Sequence, residues 1–181
     1  MQSPYVECPV YETEHFKLRL VSLTDAIDLL ECYSDSKSQK LFNADNCLSD
    51  FCYYTVEEMH ACIKMWIYSY KTEQFIRFAI IDSQNEKAIG TIEIFGGDAV
   101  NDYTGVLRVD IASKYETEQY IRELLTVSNR YFHNLFPVKN IITKAIPAAG
   151  ERIKALINCG FQKYDDSSLD KPRMDFYIHT A

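Results

Sequence analysis

The chain has 181 residues, of which 47% are hydrophobic and 25% charged, and its formal net charge is −7. This length predicts a single domain over residues 1–181 with a sizeable core. An acidic chain repels a phosphate backbone, so no nucleic-acid partner is expected. No apolar run approaches the roughly 20 residues that cross a bilayer, so no membrane partner is expected either.

The cysteines and the N-terminus bear on redox state and location. The six cysteines and four histidines show no CxxC or Cys–His spacing typical of a metal site. We therefore expect reduced, mostly buried thiols and no metal. The first residues lack a basic stretch followed by an apolar core, so they do not predict a secretory signal. A cytoplasmic protein is the expectation.

The first third of the chain predicts a strand, a helix and an irregular connection. Residues 15–21 alternate apolar and basic side chains, which is typical of a half-buried strand. Residues 22–33 follow as a helix with Thr24 as its N-cap. Residues 34–54 lose periodicity and mix acids with aromatics. This segment is either a loop held by its aromatic side chains or an amine site that uses charge and cation–π contacts.

The middle of the chain predicts a core helix and a hairpin. Thr55 and Glu58 form the capping-box pattern at the start of a helix that runs to about residue 70. Residues 75–82 and 88–95 are strands that flank a polar turn, which predicts an antiparallel pair.

A buried strand, a turn and an amphipathic helix occupy residues 104–136. The strand covers residues 106–112, and the helix carries apolar residues at the spacing of a core-facing stripe. A strand end that opens a helix gathers unpaired backbone N–H groups, which attract phosphate. Residues 114–120 are therefore the predicted place for a nucleotide-like cofactor.

The last third predicts a parallel strand, a short helix and a closing strand. Residues 140–146 form a strand ended by Pro147 and parallel to residues 106–112, because a helix crosses between them. Residues 151–159 form a helix that ends at Gly160. Residues 174–179 form the closing strand. The side chains predicted to face inward from this last helix are Ile153, Leu156 and Ile157.

These elements resemble, in order and spacing, the GCN5-related N-acetyltransferases (GNAT), in the branch of the ribosomal-protein alanine acetyltransferases. The likeness appears in ETEHFKLRLVSLTDAIDLL, in the hairpin FAIIDSQNEKAIGTIEI, and in a helix ending in Gly160-Phe161. The resemblance implies an α+β fold, an α/β/α sandwich whose mixed, mostly antiparallel sheet carries helices on both faces. In the cofactor motif, Tyr115, Tyr120, Glu123, Leu124 and Leu125 are in register, whereas Thr117 and Gln119 stand at the two glycine positions.

The resemblance implies an acetyl-CoA-dependent N-acetyltransferase whose acceptor is a small-molecule amine or a peptide N-terminus. Backbone amides near Ile111 and Ala112 would bind the pantetheine arm. The turn would hold the pyrophosphate through Lys114, Thr117, Gln119 and Tyr120. A catalytically degenerate binding or regulatory module is the alternative, and we expect weakened CoA binding because the two glycines are replaced beside Glu116 and Glu118.

For catalysis the resemblance requires a group that removes a proton from the amine. Asp110 and Glu93 lie on neighbouring central strands and are the candidate bases, and the alternative is that each is a solvated or ion-paired strand residue. Periodicity puts Asp110 on the face opposite Val109 and Ile111. The positions at which relatives carry a donor Tyr, a cofactor-binding Asn and a Ser are here Leu156, Ala149 and Arg152, so Cys159, Tyr164 or water would have to donate the proton.

Overall fold

A mixed eight-stranded sheet forms the centre of the protein. The computed structural model describes residues 3–42, 51–96, 103–166 and 173–181. The spatial order of the strands is first, second, third, fourth, fifth, sixth, eighth, seventh, and among neighbours only the fifth and sixth are parallel. The strands are β1 (Tyr11–Glu12), β2 (Phe16–Leu20), β3 (Ile76–Asp82), β4 (Ala88–Gly96), β5 (Thr104–Ile111), β6 (Asn140–Lys144), β7 (Gln162–Asp166) and β8 (Arg173–Thr180).

Helices cover both faces of this sheet, which confirms the expected α+β sandwich. On one face Ala79 and Ile81 of β3 pack with Met59 and Ile63 of α3. On the other face the core joins alternate residues of the central strands to α4 and α6. The helices are α1 (Ala26–Tyr33), α2 (Ser36–Phe42), α3 (Val56–Lys71), α4 (Glu118–Val127), α5 (His133–Leu135) and α6 (Gly150–Asn158). Among the described residues no helix is long and apolar enough to cross a bilayer.

The helix starts confirm one predicted cap and correct another. The Thr55 hydroxyl accepts the Glu58 amide, and the Glu58 carboxylate accepts the Thr55 amide, so the predicted capping box forms. Thr24 is not the N-cap of the first helical segment. Ser22 takes that role, because Asp25 three residues later completes a capping box that opens a 3-10 turn ahead of α1.

The irregular connection contains a helix that periodicity did not predict. α2 occupies part of residues 34–54, and Asp35 caps it by accepting the Lys37 amide and the Ser38 hydroxyl. A seven-residue helix is too short to show an apolar stripe, so its cap was the available signal. Two further acids of this segment, Asp45 and Asp50, lie outside the described residues.

The long helix and the last helix also differ in detail from the prediction. α4 passes into a π-helical turn, Ser128–Phe132, before α5, so the helix is interrupted. Ile157 was expected inside but is 59% exposed, because Ala155 and Leu156 provide the buried side of α6. Gly160 has a φ of 85°, which confirms its left-handed terminating role.

The parallel pairing of β5 and β6 ends early and leaves a cleft. Residues Thr104–Val106 pair with Asn140–Ile142, whereas β5 continues without β6 to Ile111. The strands therefore separate towards their C-terminal ends. We call this space, between residues 107–111 of β5 and β6, the β5–β6 cleft.

Candidate functional site

The β5–β6 cleft is filled by a side chain of α6. Arg152 donates from Nη1 to the Val109 carbonyl at 3.0 Å. Its Nε and Nη2 donate to the two carboxylate oxygens of Glu116, each at 2.7 Å. The cavity that remains is about 20 Å³. Its lining comprises Leu41, Phe42, Val106, Leu107, Arg108, Val109, Thr143, Lys144, Arg152 and Phe176.

Arg152 and Glu116 form a buried ion pair. Only 6% and 7% of their side-chain surfaces are exposed. Burial alone lowers the pKa of Arg152, but the adjacent Glu116 carboxylate outweighs that effect and the pKa is raised. The bidentate geometry and the carbonyl contact satisfy three donors of one guanidinium, so both charges are stable inside the cleft.

The turn before α4 uses protein groups where a phosphate was expected. The Thr117 hydroxyl accepts the Tyr120 amide at 3.4 Å, so Thr117 is the N-cap of α4. The Glu118 amide donates to Glu151 Oε2 at 3.2 Å. A carboxylate therefore lies against the helix N-terminus, where an anion is stabilised by the helix dipole.

The other predicted residues of this turn are dispersed. Lys114 is exposed, and its ammonium lies 4.8 Å from the Tyr115 ring centroid. Gln119 is also exposed. The Tyr120 ring packs edge-on against Phe16, so it belongs to the core. Thr117, Gln119 and Tyr120 line an open depression of about 560 Å³ together with Glu118, Arg122 and Glu151.

The backbone amides at the end of β5 do not all point into the cleft. The Ala112 amide donates to the Ile89 carbonyl of β4 at 3.0 Å, so it is not available to a ligand. The next amide, of Ser113, donates to Asp35 Oδ2 at 3.0 Å. Because amides alternate between the two edges of a strand, Ile111 directs its amide to the cleft side. Of the two predicted positions, only Ile111 faces the cleft.

The candidate base Asp110 lies in a buried charged cluster on the α1 and α3 face of the sheet. Its side chain is fully buried and lies opposite Val109 and Ile111, as the strand periodicity predicted. Oδ2 accepts the Tyr33 hydroxyl at 2.8 Å and Arg77 Nη1 at 3.2 Å. Arg108 Nε donates to Oδ1 at 2.8 Å.

Glu93, the second candidate base, has a freer carboxylate than Asp110. It pairs with Arg77 through Oε1, while its Oε2 is buried and has no hydrogen-bond partner among the described residues. Burial raises the pKa of Glu93, and the opposing effect of Arg77 does not cancel it. A raised pKa makes this carboxylate a better proton acceptor once it is ionised.

Aromatic rings cover this charged cluster. The Arg77 guanidinium carbon lies 4.2 Å from the Trp66 ring centroid, and that of Arg108 lies 4.2 Å from the Phe51 centroid. Such cation–π contacts stabilise guanidinium groups removed from water. Within the described residues, no group of three or more His, Cys, Asp or Glu side chains is placed to hold a metal ion.

Sequence reasoning did not identify Arg77 as a partner of both candidate bases, nor Arg152 as the occupant of the cleft. A usable signal existed for Arg77, because a charged residue inside the apolar strand IRFAIID is buried only when it is paired. For Arg152 no such signal existed, because α6 is amphipathic and an arginine on it is ordinarily solvated.

The site as described does not fit CoA. A ligand pocket usually offers roughly 300 Å³ or more, whereas the β5–β6 cleft offers about 20 Å³. Arg152 holds the Val109 carbonyl, and Glu151 holds an amide at the start of α4. Both ends of the expected cofactor path are thus occupied by side chains of the protein.

Comparison with known proteins gives the fold. No protein-family model matches the chain, and no curated protein matches it. Among solved structures, the ribosomal-protein-S5-alanine acetyltransferase of Vibrio fischeri is similar at a TM-score of 0.72 and 16% identity, over 95% of this chain and 96% of that one. A GNAT-family acetyltransferase of Bacillus anthracis is similar at a TM-score of 0.70 and 14% identity, over 95% and 98%.

A third structure contains ligands. The spermidine N-acetyltransferase of Vibrio cholerae, in complex with CoA and spermine, is similar at a TM-score of 0.66 and 13% identity, over 92% of this chain and 94% of that one. At these identities the likeness establishes architecture, and it does so over almost the entire chain. The protein therefore has the fold of the GCN5-related N-acetyltransferases, including that of the ribosomal-protein alanine acetyltransferases.

Proposed function

We propose that this protein is an acetyl-CoA-dependent N-acetyltransferase that acts on a primary amine, either a small molecule or a peptide N-terminus. The observation that carries the proposal is the separation of β5 from β6 within a complete GNAT fold. The solved relatives include enzymes named for a ribosomal protein and for spermidine, which supports an amine acceptor. Acetyl-CoA would supply the acetyl thioester, and the cleft must open to admit it.

Within this proposal Glu93 is the better candidate base. An amine attacks as its neutral form, so a proton must leave the ammonium, and Glu93 Oε2 has a free position to accept it. The Asp110 oxygens already accept from Tyr33, Arg77 and Arg108. We assign Asp110 to positioning Arg77. We also propose a cytoplasmic location, because Cys8, Cys32, Cys62 and Cys159 are reduced thiols in the described part of the chain.

A second function is favoured by the filled cleft: a catalytically degenerate GNAT-fold module that binds or regulates. Its specific support is the ion pair between Arg152 and Glu116 in the place of a pantetheine arm. In this alternative the pair is permanent, and weak or absent CoA binding follows.

Acetyl transfer tests the proposal. Purified protein is incubated with acetyl-CoA and either spermidine or peptides that begin with alanine or serine, and products are detected by mass. We expect transfer to at least one amine, and a lower kcat with a shifted pH profile for Glu93→Gln. Glu57→Gln, an exposed glutamate of α3, is the matched control and should leave both unchanged. Absence of transfer to every acceptor supports the degenerate module.

A further inference from the structure

Arg152 occupies the cleft along the edge of β5 that faces β6, where β5 is paired with β4 but no longer with β6. Val109 is not paired with β6, because the parallel pairing stops at Val106. Its carbonyl nevertheless has a donor, the Arg152 guanidinium at 3.0 Å. The side chain therefore substitutes for the missing strand and satisfies a buried carbonyl that would otherwise be unpaired.

We propose that Arg152, held by Glu116, is a built-in plug that excludes the pantetheine arm of CoA from the resting protein. This inference rests on the proposed function, since it concerns regulation of the same cleft. The arm and the guanidinium need the same space and the same backbone edge of β5. CoA therefore enters only when the Arg152–Glu116 pair separates and the guanidinium leaves the cleft.

The first turn of α6 contributes the plug residue and, beside it, a second side chain that occupies the expected cofactor path. Glu151 lies next to Arg152 in that turn and accepts the Glu118 amide at the start of α4. Lys154 Nζ, at 2.7 Å from Glu151 Oε1, helps to hold that carboxylate in place. A movement of this one turn would release both contacts together. The plug is thus part of one group of contacts between α6 and the β5–α4 connection.

The test is CoA binding by calorimetry to the unmodified protein and to the double variant Arg152→Ser with Glu116→Gln. The double change leaves the net charge unaltered and avoids an unpaired buried carboxylate. We expect CoA to bind the double variant at least about tenfold more tightly than it binds the unmodified protein. Adenosine 3′,5′-bisphosphate, which lacks the pantetheine arm, should bind both proteins equally.

The control is Arg19→Ser with Asp25→Asn, which removes another bidentate arginine–carboxylate pair, located between β2 and the turn before α1. This control should leave CoA affinity unchanged, and circular dichroism should show that each variant is folded. If Arg152→Ser with Glu116→Gln does not raise CoA affinity, or raises affinity for the bisphosphate equally, the plug is excluded.

The CoA-binding test of the plug and the acetyl-transfer test of the proposed function can fail independently of each other. Tighter CoA binding by the folded double variant without acetyl transfer supports the plug and contradicts the transferase. Acetyl transfer by the unmodified protein, with CoA affinity equal to that of the double variant, supports the transferase and contradicts the plug.

Discussion

Arg77 and Arg152 are both buried arginines, but they belong to different kinds of site. Arg77 lies on the α1 and α3 face and pairs with Glu93 and Asp110, and Asp110 in turn binds Tyr33 and Arg108. Arg152 has one carboxylate partner, Glu116, and one backbone partner in the cleft. The first site is a network of interdependent charges, and the second is a single pair placed where the fold provides a ligand cleft.

This difference predicts different responses to mutation. Removal of one member of a buried network leaves several charges without compensation, whereas a single pair can be removed as a unit. The charged cluster is therefore expected to determine the free energy of unfolding. The cleft pair is expected to determine whether CoA can enter the β5–β6 cleft.

The largest effect is expected at Asp110. Asp110→Asn leaves Arg77 and Arg108 with one buried carboxylate, Glu93, between them. We expect a loss of about 3 kcal/mol or more in the free energy of unfolding, measured by urea denaturation. Exposed Glu57→Gln should change it by less than about 0.5 kcal/mol. A loss at Asp110 as small as that of the control would contradict the network.

The next effect concerns the cleft pair. Arg152→Ser alone leaves Glu116 buried and unpaired, and we expect a loss of about 2–3 kcal/mol in unfolding free energy. Adding Glu116→Gln should recover part of that loss, with a coupling energy of about 1–3 kcal/mol in a double-mutant cycle. Strictly additive losses would show that the two side chains do not act as a unit.

The helix caps on the two faces permit a finer comparison. Thr55→Ala removes a hydroxyl that accepts an amide at 3.2 Å within a complete capping box, and about 1 kcal/mol of stability should be lost. Thr117→Ala at α4 should lose only about 0.5 kcal/mol, because its contact is longer, 3.4 Å, and Glu151 already accepts the neighbouring amide. Thermal unfolding of both variants measures the difference, and equal losses would contradict this account.

The smallest expected effect is on the pH dependence of the free energy of unfolding, and it comes from the histidine pair His133 and His179. His179 Nδ1 and His133 Nε2 lie 3.1 Å apart. Burial and the neighbouring His133 lower the pKa of His179, so the folded state prefers the neutral ring. Stability from this group is present above the unfolded pKa of about 6.5 and is lost as pH falls through the lower folded value.

His15 supplies the opposite case on the same face. Its hydrogen bond to Glu123 raises the pKa of His15, so its contribution is present below about pH 6.5 and is lost as pH rises through the folded value. Unfolding between pH 5 and 8 should therefore show a smaller acid loss for His179→Gln and a larger acid loss for His15→Gln than for the unmodified protein. The reverse order would contradict both assignments.

Local signals along the chain were sufficient for much of the architecture. The capping box at Thr55, the terminator Gly160 and the β3–β4 hairpin depend on neighbouring residues, so their positions followed from the sequence. The parallel β5–β6 pairing followed from the helical crossover between them. Ser22 and not Thr24 is the cap because serine is the stronger N-cap residue and Asp25 stands at the position that completes its capping box.

The sequence by itself determined the order of the strands and helices and the strand face of Asp110, because periodicity and local hydrogen bonding encode them, and its resemblance to the GCN5-related N-acetyltransferases implied how those elements pack. Only the tertiary structure decided which charges meet. Arg77 reaches Glu93 and Asp110 across three strands, and Arg152 reaches Glu116 and Val109 from a helix more than thirty residues away in sequence. Long-range contacts of this kind depend on strand register, on the separation of β5 from β6 and on how deeply α6 packs. No spacing pattern in the chain records those quantities.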